Sequence, residues 1–113
     1  MTPTIEIRVR GRRRAITLVA IIDTGFEGEL CLPIDVAEKL GLELVGKELI
    51  ELADGSRKRE PIFAGSVRLL GRKIPVNIIL TNGDEALVGT ALLADCRLMI
   101  DFPSGKVRIN RKN

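Results

Sequence analysis

The sequence predicts an all-β domain, barrel-like or sandwich-like, with one or two short helices inserted. Three observations carry this. Extended stretches recur at roughly 8–12-residue spacing with turn residues between them, the pattern of sandwiches and barrels. The composition is 45% hydrophobic but only 3% aromatic, so the core must be built from Ile, Leu and Val, which favour sheet. Helix punctuation at both ends appears at one place only, between Pro33 and Gly41.

Thr4 to Arg10 alternates apolar and polar residues and reads as a half-buried strand. Gly11 marks a turn, flanked by Arg10, Arg12, Arg13 and Arg14, so these arginines decorate a hairpin tip. A continuous apolar and β-branched run from Ala15 to Ile22 reads as a buried strand. After Glu29 to Leu32, a short strand, Pro33 and Asp35 open a helix. Its apolar positions are Val36, Ala37 and Leu40, and Gly41 is placed to cap its C-terminus.

Alternation returns from Leu44 to Leu52. Asp54-Gly55 then stands before another extended run, Arg57 to Leu70, which is a strong hairpin signal. Leu70-Gly71-Arg72 turns the chain into Lys73 to Leu80. Thr81 to Asp84 is a loop, Glu85 to Val88 a short strand, and Ala91 to Ala94 a brief helical turn. Leu98 to Asp101 and Lys106 to Ile109 are two final strands around a Pro103-Ser104-Gly105 turn. No linker, repeat or low-complexity tract interrupts the 113 residues, which read as a single domain over 1–113 with a small core.

Composition narrows the chemistry. With 18 basic and 15 acidic residues the net charge is +3, too mild to imply nucleic acid, and the arginine tip lacks interleaved aromatics. Nucleic acid is therefore not expected as a partner. There is no histidine, which removes Ser-His-Asp triads, Cys-His pairs and imidazole zinc sites. Cys31 and Cys96 read as free thiols packed as small hydrophobes. No apolar run is long enough to span a bilayer and no signal-peptide core stands at the N-terminus, so a cytoplasmic, membrane-free protein is expected. Any catalysis must rest on carboxylates, lysines or hydroxyls.

The stretch that organises the chain is Asp23-Thr24-Gly25, directly after the buried run. A carboxylate is expensive to bury without partners. Here it could end the strand as an Asx-turn or serve a site. Thr24 supplies a hydroxyl, and Gly25 permits a sharp turn.

Asp23-Thr24-Gly25, the strand ending in Pro33, the Asp54-Gly55 hairpin and Leu87-Val88-Gly89 together resemble the single-lobed, retropepsin-like aspartic proteases of clan AA. The resemblance spans roughly Ala15 to Ile109. It implies a closed, barrel-like half-lobe and Asp23 as the catalytic carboxylate. Thr24 and Gly25 support its loop: the threonine is buried and bonds across two loops, and the glycine N–H faces the carboxylate. Leu87, Val88 and Gly89 form the second supporting loop, with a short helix over Ala91 to Ala94. The hairpin tip Ala53, Asp54, Gly55 and Ser56 is the expected flap over the substrate.

The resemblance also implies hydrolysis of a peptide bond in a peptide or protein substrate by an activated water, with no metal, cofactor or covalent intermediate. The dyad needs two carboxylates, and no second Asp-Thr/Ser-Gly occurs. A homodimer with one Asp23 from each chain supplies them, symmetry making the pairing automatic. Asp101, after Leu98-Met99-Ile100, is the one rival within the chain, and reads better as a turn initiator. Phe26 departs from the commoner Ser, Thr or Ala after the glycine, and matches a branch carrying phenylalanine there. It cannot bond the carboxylate, so a weak or inactive peptide-binding or dimerisation module on the same fold is the alternative.

Overall fold

A computed structural model describes residues 2–51 and 54–112. Nine strands and one helix follow in the order β1 (Thr4–Arg10), β2 (Ala15–Ile22), β3 (Leu30–Pro33), α1 (Ile34–Leu40), β4 (Glu43–Glu51), β5 (Arg57–Leu69), β6 (Arg72–Thr81), β7 (Ala86–Val88), β8 (Cys96–Asp101) and β9 (Lys106–Arg111). The strands from β1 to β9 fall where alternation and turn chemistry place them, within about two residues at each end, as expected of boundaries read from sequence.

Six of the strands form a ring. The order β1-β2-β7-β3-β6-β5 closes because β5 also pairs with β1. Of the two architectures the strand spacing allowed, the barrel is therefore the one adopted. Two of its pairings are parallel, β2 with β7 and β3 with β6, and these join segments far apart in the chain. Closure removes free edges and leaves an aliphatic interior. Ile7, Val9, Leu30, Leu32, Leu40, Val67, Ile78 and Val88 are fully buried there. No polar or charged residue is buried among the described residues. Truncating one of the buried leucines to Ala should cost about 2–5 kcal/mol.

β5 is long because it does two jobs. On one edge it pairs with β4 through Ala64, then with β1 from Ser66 onward. Gly65 stands at the hand-over. A Cβ there would lie 2.9 Å from Ile78 Cδ1 and 3.1 Å from the Arg10 carbonyl oxygen, so only glycine lets the strands cross this closely. Beyond the hand-over, β4 and the first part of β5 leave the barrel as a hairpin arm. Leu44, Val45 and Leu49 on that arm are more than half exposed, at 58%, 53% and 53%. The apolar alternation of β4 thus reflects an arm and not a half-buried barrel strand.

Turn chemistry is met locally. Leu70 and Gly71 both have positive φ, 52° and 77°, so the two-residue β5–β6 connection has the sign pattern of a type I′ turn. Gly41 caps α1 in the left-handed region at φ 68°, its N–H reaching the Ala37 carbonyl at 3.1 Å. The basic tip between β1 and β2 folds onto this helix end. Arg12 N–H donates to the Gly41 carbonyl at 3.0 Å and Arg13 N–H to that of Leu40 at 2.9 Å, satisfying carbonyls the helix leaves free.

The second helix implied over Ala91 to Ala94 is not formed. Thr90 to Asp95 runs as consecutive turns. With β8 starting at Cys96, one helical-type bond, Cys96 N–H to Leu93 carbonyl at 2.9 Å, is all the length allows. β8 and β9 form a separate two-stranded ribbon. Among the described residues no helix is long and apolar enough to cross a membrane.

Candidate functional site

Asp23 sits at the point where β2 has passed the end of its neighbours. Ile22 N–H donates to the Pro3 carbonyl and Asp23 N–H to the Val88 carbonyl, both at 2.9 Å. The next residues turn sharply. Asp23 Oδ1 accepts from the Gly25 N–H at 2.9 Å, and the Asp23 carbonyl accepts from the Phe26 N–H at 3.1 Å. This is an Asx-turn, and it holds a half-buried carboxylate at the rim of the barrel. A Cβ on residue 25 would lie 3.3 Å from Oδ1, so glycine leaves the carboxylate its room. Thr24, next in the turn, is exposed in the single chain.

The loop after Asp23 is stapled to the segment after β7. The Phe26 carbonyl accepts from Thr90 N–H at 2.9 Å, that of Gly28 from Ala91 N–H at 3.1 Å, and that of Glu29 from Gly89 N–H at 3.0 Å. Val88 and Gly89 are buried and Leu87 is half-buried, Val88 accepting from the Asp23 N–H and Gly89 donating to the Glu29 carbonyl. Gly89 has no space for a side chain: a Cβ would collide with the Gly28 carbonyl oxygen and lie 2.7 Å from that of Phe26. A fourth tie, not foreseen from sequence, comes from a side chain. Glu29 Oε1 accepts from the Asn77 N–H at 2.8 Å, extending the β3–β6 ladder by one bond just before β3 begins.

The loop forms one wall of a groove of about 730 Å³. Gly25 to Leu30 line one side and Glu48 to Glu51 of the hairpin arm the other, with Ile62, Asn77 and Ile79 between. The arm faces the Asp23 loop across this groove, and its described residues that line it are Glu48 to Glu51. Asp54, Gly55 and Ser56 lie exposed at the tip, and Ala53 lies outside the described residues. Their role is in the turn. The Ser56 hydroxyl and the Ser56 N–H, the latter at 2.9 Å, both donate to Asp54 Oδ1, which holds the Asp54 carboxyl below the usual carboxylate range. Gly55 takes φ +85°, a region L-residues avoid. Glu48 to Glu51 could have been found by counting back along β4 from the Asp54-Gly55 turn. Nothing local marks Asn77.

Asp101 is accounted for by its own turn. Its carbonyl accepts from the Gly105 N–H at 2.8 Å and its carboxylate from the Ser104 N–H at 3.5 Å. Cys31 is buried and free, and burial first, then the nearby Glu60 charge, push its thiol up. Cys96 is also free and half-buried. Among the described residues no three His, Cys, Asp or Glu side chains stand together as a metal site would need.

A closed six-stranded barrel with one helix, an Asp-Thr-Gly turn at its rim and a hairpin arm above defines the retropepsin-like fold. Known structures agree. Simian foamy virus (mac) protease aligns over 80% of this chain and 92% of its own with a TM-score of 0.55 at 18% identity. The EIAV protease in complex with an inhibitor aligns over 84% of this chain and 88% of its own with a TM-score of 0.63 at 16% identity. The foamy viral protease-reverse transcriptase in complex with an RNA/DNA hybrid covers 94% of this chain with a TM-score of 0.55 at 18% identity, this chain matching 12% of that longer one. No protein-family model and no curated protein matches the sequence.

Proposed function

We propose that the chain is an aspartic endopeptidase, assembled as a homodimer, in which Asp23 of two copies forms the catalytic pair. The observation that carries this is the Asp23 carboxylate, held by the Gly25 N–H at 2.9 Å on a loop that walls a groove beneath a hairpin arm. A peptide laid in the groove would run between that loop and Glu48 to Glu51. Two like carboxylates at hydrogen-bond distance repel when both are charged, so the pair works with one proton shared between them. The ionised member takes a proton from water as the water attacks the scissile carbonyl, and the protonated member donates to the carbonyl oxygen. Collapse of the resulting diol delivers a proton to the amine and releases both products. The arm, closing over the peptide, would exclude bulk water. The solved structures of like fold are proteases by name, which supports the peptidase reading over a purely structural turn.

A second reading is kept because of Phe26. Its ring lies over Gly28 and Gly89, and it offers the carboxylate no hydroxyl. On this reading the groove binds peptide without cutting it. Cleavage of a peptide library by the wild type and by Asp23→Asn separates the two. Activity in the wild type that vanishes in a folded Asp23→Asn supports the peptidase. Peptide capture without products in either protein supports the binding module.

A further inference from the structure

A row of cations crosses the seam that closes the barrel. Arg8 of β1 stands directly opposite Arg68 of β5, and Arg68 directly opposite Lys73 of β6. Directly opposed residues on antiparallel strands share a face, with Cβ atoms roughly 4.5–5.5 Å apart. Arg10, two residues along β1, is on the same face and opposite Ser66. These five residues and Ala15 line one concavity of about 240 Å³, and none of them lines the groove beside Asp23.

The arrangement is electrostatically unfavourable by itself. Like charges directly opposite each other destabilise a sheet. Among the described residues the ion pairs are Lys58–Glu60, Arg72–Asp95 and Arg111–Asp95, and none involves these four cations. Neutral oxygens are what they reach: Arg8 donates to Thr17 Oγ1 at 3.1 Å and Arg68 to the Gly71 carbonyl at 3.4 Å. Lysine and arginine often guard a free sheet edge against pairing with another chain. That explanation fails here, because the β1–β5 seam is already paired.

We infer that this seam binds a compact anion of the phosphate class carrying two or more charges, for which inorganic pyrophosphate is the probe. Three arginine forks can each offer paired N–H donors to phosphate oxygens, Lys73 adds a point charge, and the Ser66 hydroxyl adds a neutral donor. The concavity carries no aromatic side chain on which a base could stack, which favours a free anion over a nucleic-acid strand.

Calorimetric titration of the full chain with pyrophosphate at low ionic strength tests the site. Binding is expected in the wild type and in Arg97→Gln, a surface change on β8. In Arg68→Gln and in Lys73→Gln it should weaken about tenfold or more, the loss of one charged hydrogen-bond partner. Without anion, Arg68→Gln should melt above the wild type, since it relieves two opposed like-charge pairs. The two variants carry the test independently should either fold poorly. No binding at millimolar pyrophosphate, or binding as tight as the wild type's in both variants, overturns the assignment. So does short duplex DNA that binds tighter than pyrophosphate at physiological salt.

Discussion

The Phe26 ring and Gly28 occupy one another's space: a Cβ built on Gly28 would lie 2.6 Å from both Cε1 and Cζ of the ring. The ring also closes over Gly89, whose Cβ would meet Cδ2 at 2.7 Å. Phe26 and these two glycines therefore form one packed unit at the base of the groove.

The two glycines should respond differently to the loss of the ring. Gly28→Ala and Gly89→Ala each overpack the loop, which should cost about 1–3 kcal/mol. The three atoms nearest a Cβ at 28 all belong to the ring, whereas one at 89 also meets the carbonyl oxygens of Phe26 and Gly28. Phe26→Ser should thus rescue Gly28→Ala but not Gly89→Ala. Chemical denaturation of the single and double variants measures this, and equal rescue of both would show that backbone oxygens do not limit the fit at 89.

Glu29 offers a test of the tie between the loop and β6. Glu29→Ala leaves the Asn77 N–H without its 2.8 Å partner and should cost about 1 kcal/mol. Glu29→Gln keeps an acceptor oxygen and should cost little. Slowed exchange of the Asn77 amide in wild type and Gln variant, with fast exchange in the Ala variant, is the expected signature.

At the arm's tip, the Asp54 carboxyl is lowered by its bonds from the Ser56 hydroxyl and N–H. A carboxyl lowered in the folded state stabilises the turn above its unfolded value, and that support is lost as pH falls through the folded one. Titration followed by NMR should place Asp54 below an ordinary Asp, and Ser56→Ala should move it upward. Gly55→Val forces a β-branched residue to φ +85°, and among the described residues beyond its chain neighbours no atom lies within 4 Å of its Cβ, so its penalty is conformational. It should reduce peptide turnover while the melting temperature of the barrel changes little.

The dimeric site predicts dominant inhibition. Under random exchange, a nine-to-one excess of Asp23→Asn chains should leave wild-type chains with roughly a tenth of their activity, because few find a competent partner in a two-fold dimer. Activity proportional to the wild-type protein present, with exchange confirmed separately, would refute the shared pair.

Much of the fold is legible without coordinates because it is set by neighbours along the chain. Alternation gives β1, Gly41 gives the end of α1, Asp54-Gly55 gives the arm, and Leu70-Gly71 the β5–β6 turn. Each depends on backbone conformations and periodicities confined to a few residues. The turn at Asp23 belongs with them, since the bond from the Gly25 N–H spans two residues. Where the reading failed, the cause was distance in sequence or want of length. Ala91 to Ala94 has helical residues, but Thr90 and Ala91 are tied to carbonyls more than sixty positions earlier and β8 follows at once.

What lay beyond the sequence is which strands meet. Hydrophobic patterning cannot distinguish a sandwich from a ring, because both bury the same alternate residues; the β1–β5 pairing does. The parallel neighbours β7 and β6 bring Val88 to Asp23 and Asn77 to Glu29. The same ring closure sets Arg8, Arg68 and Lys73, scattered over sixty-five positions, into one row. Such pairings are selected by the summed burial of the whole barrel, a free energy to which no local stretch contributes enough to be read alone.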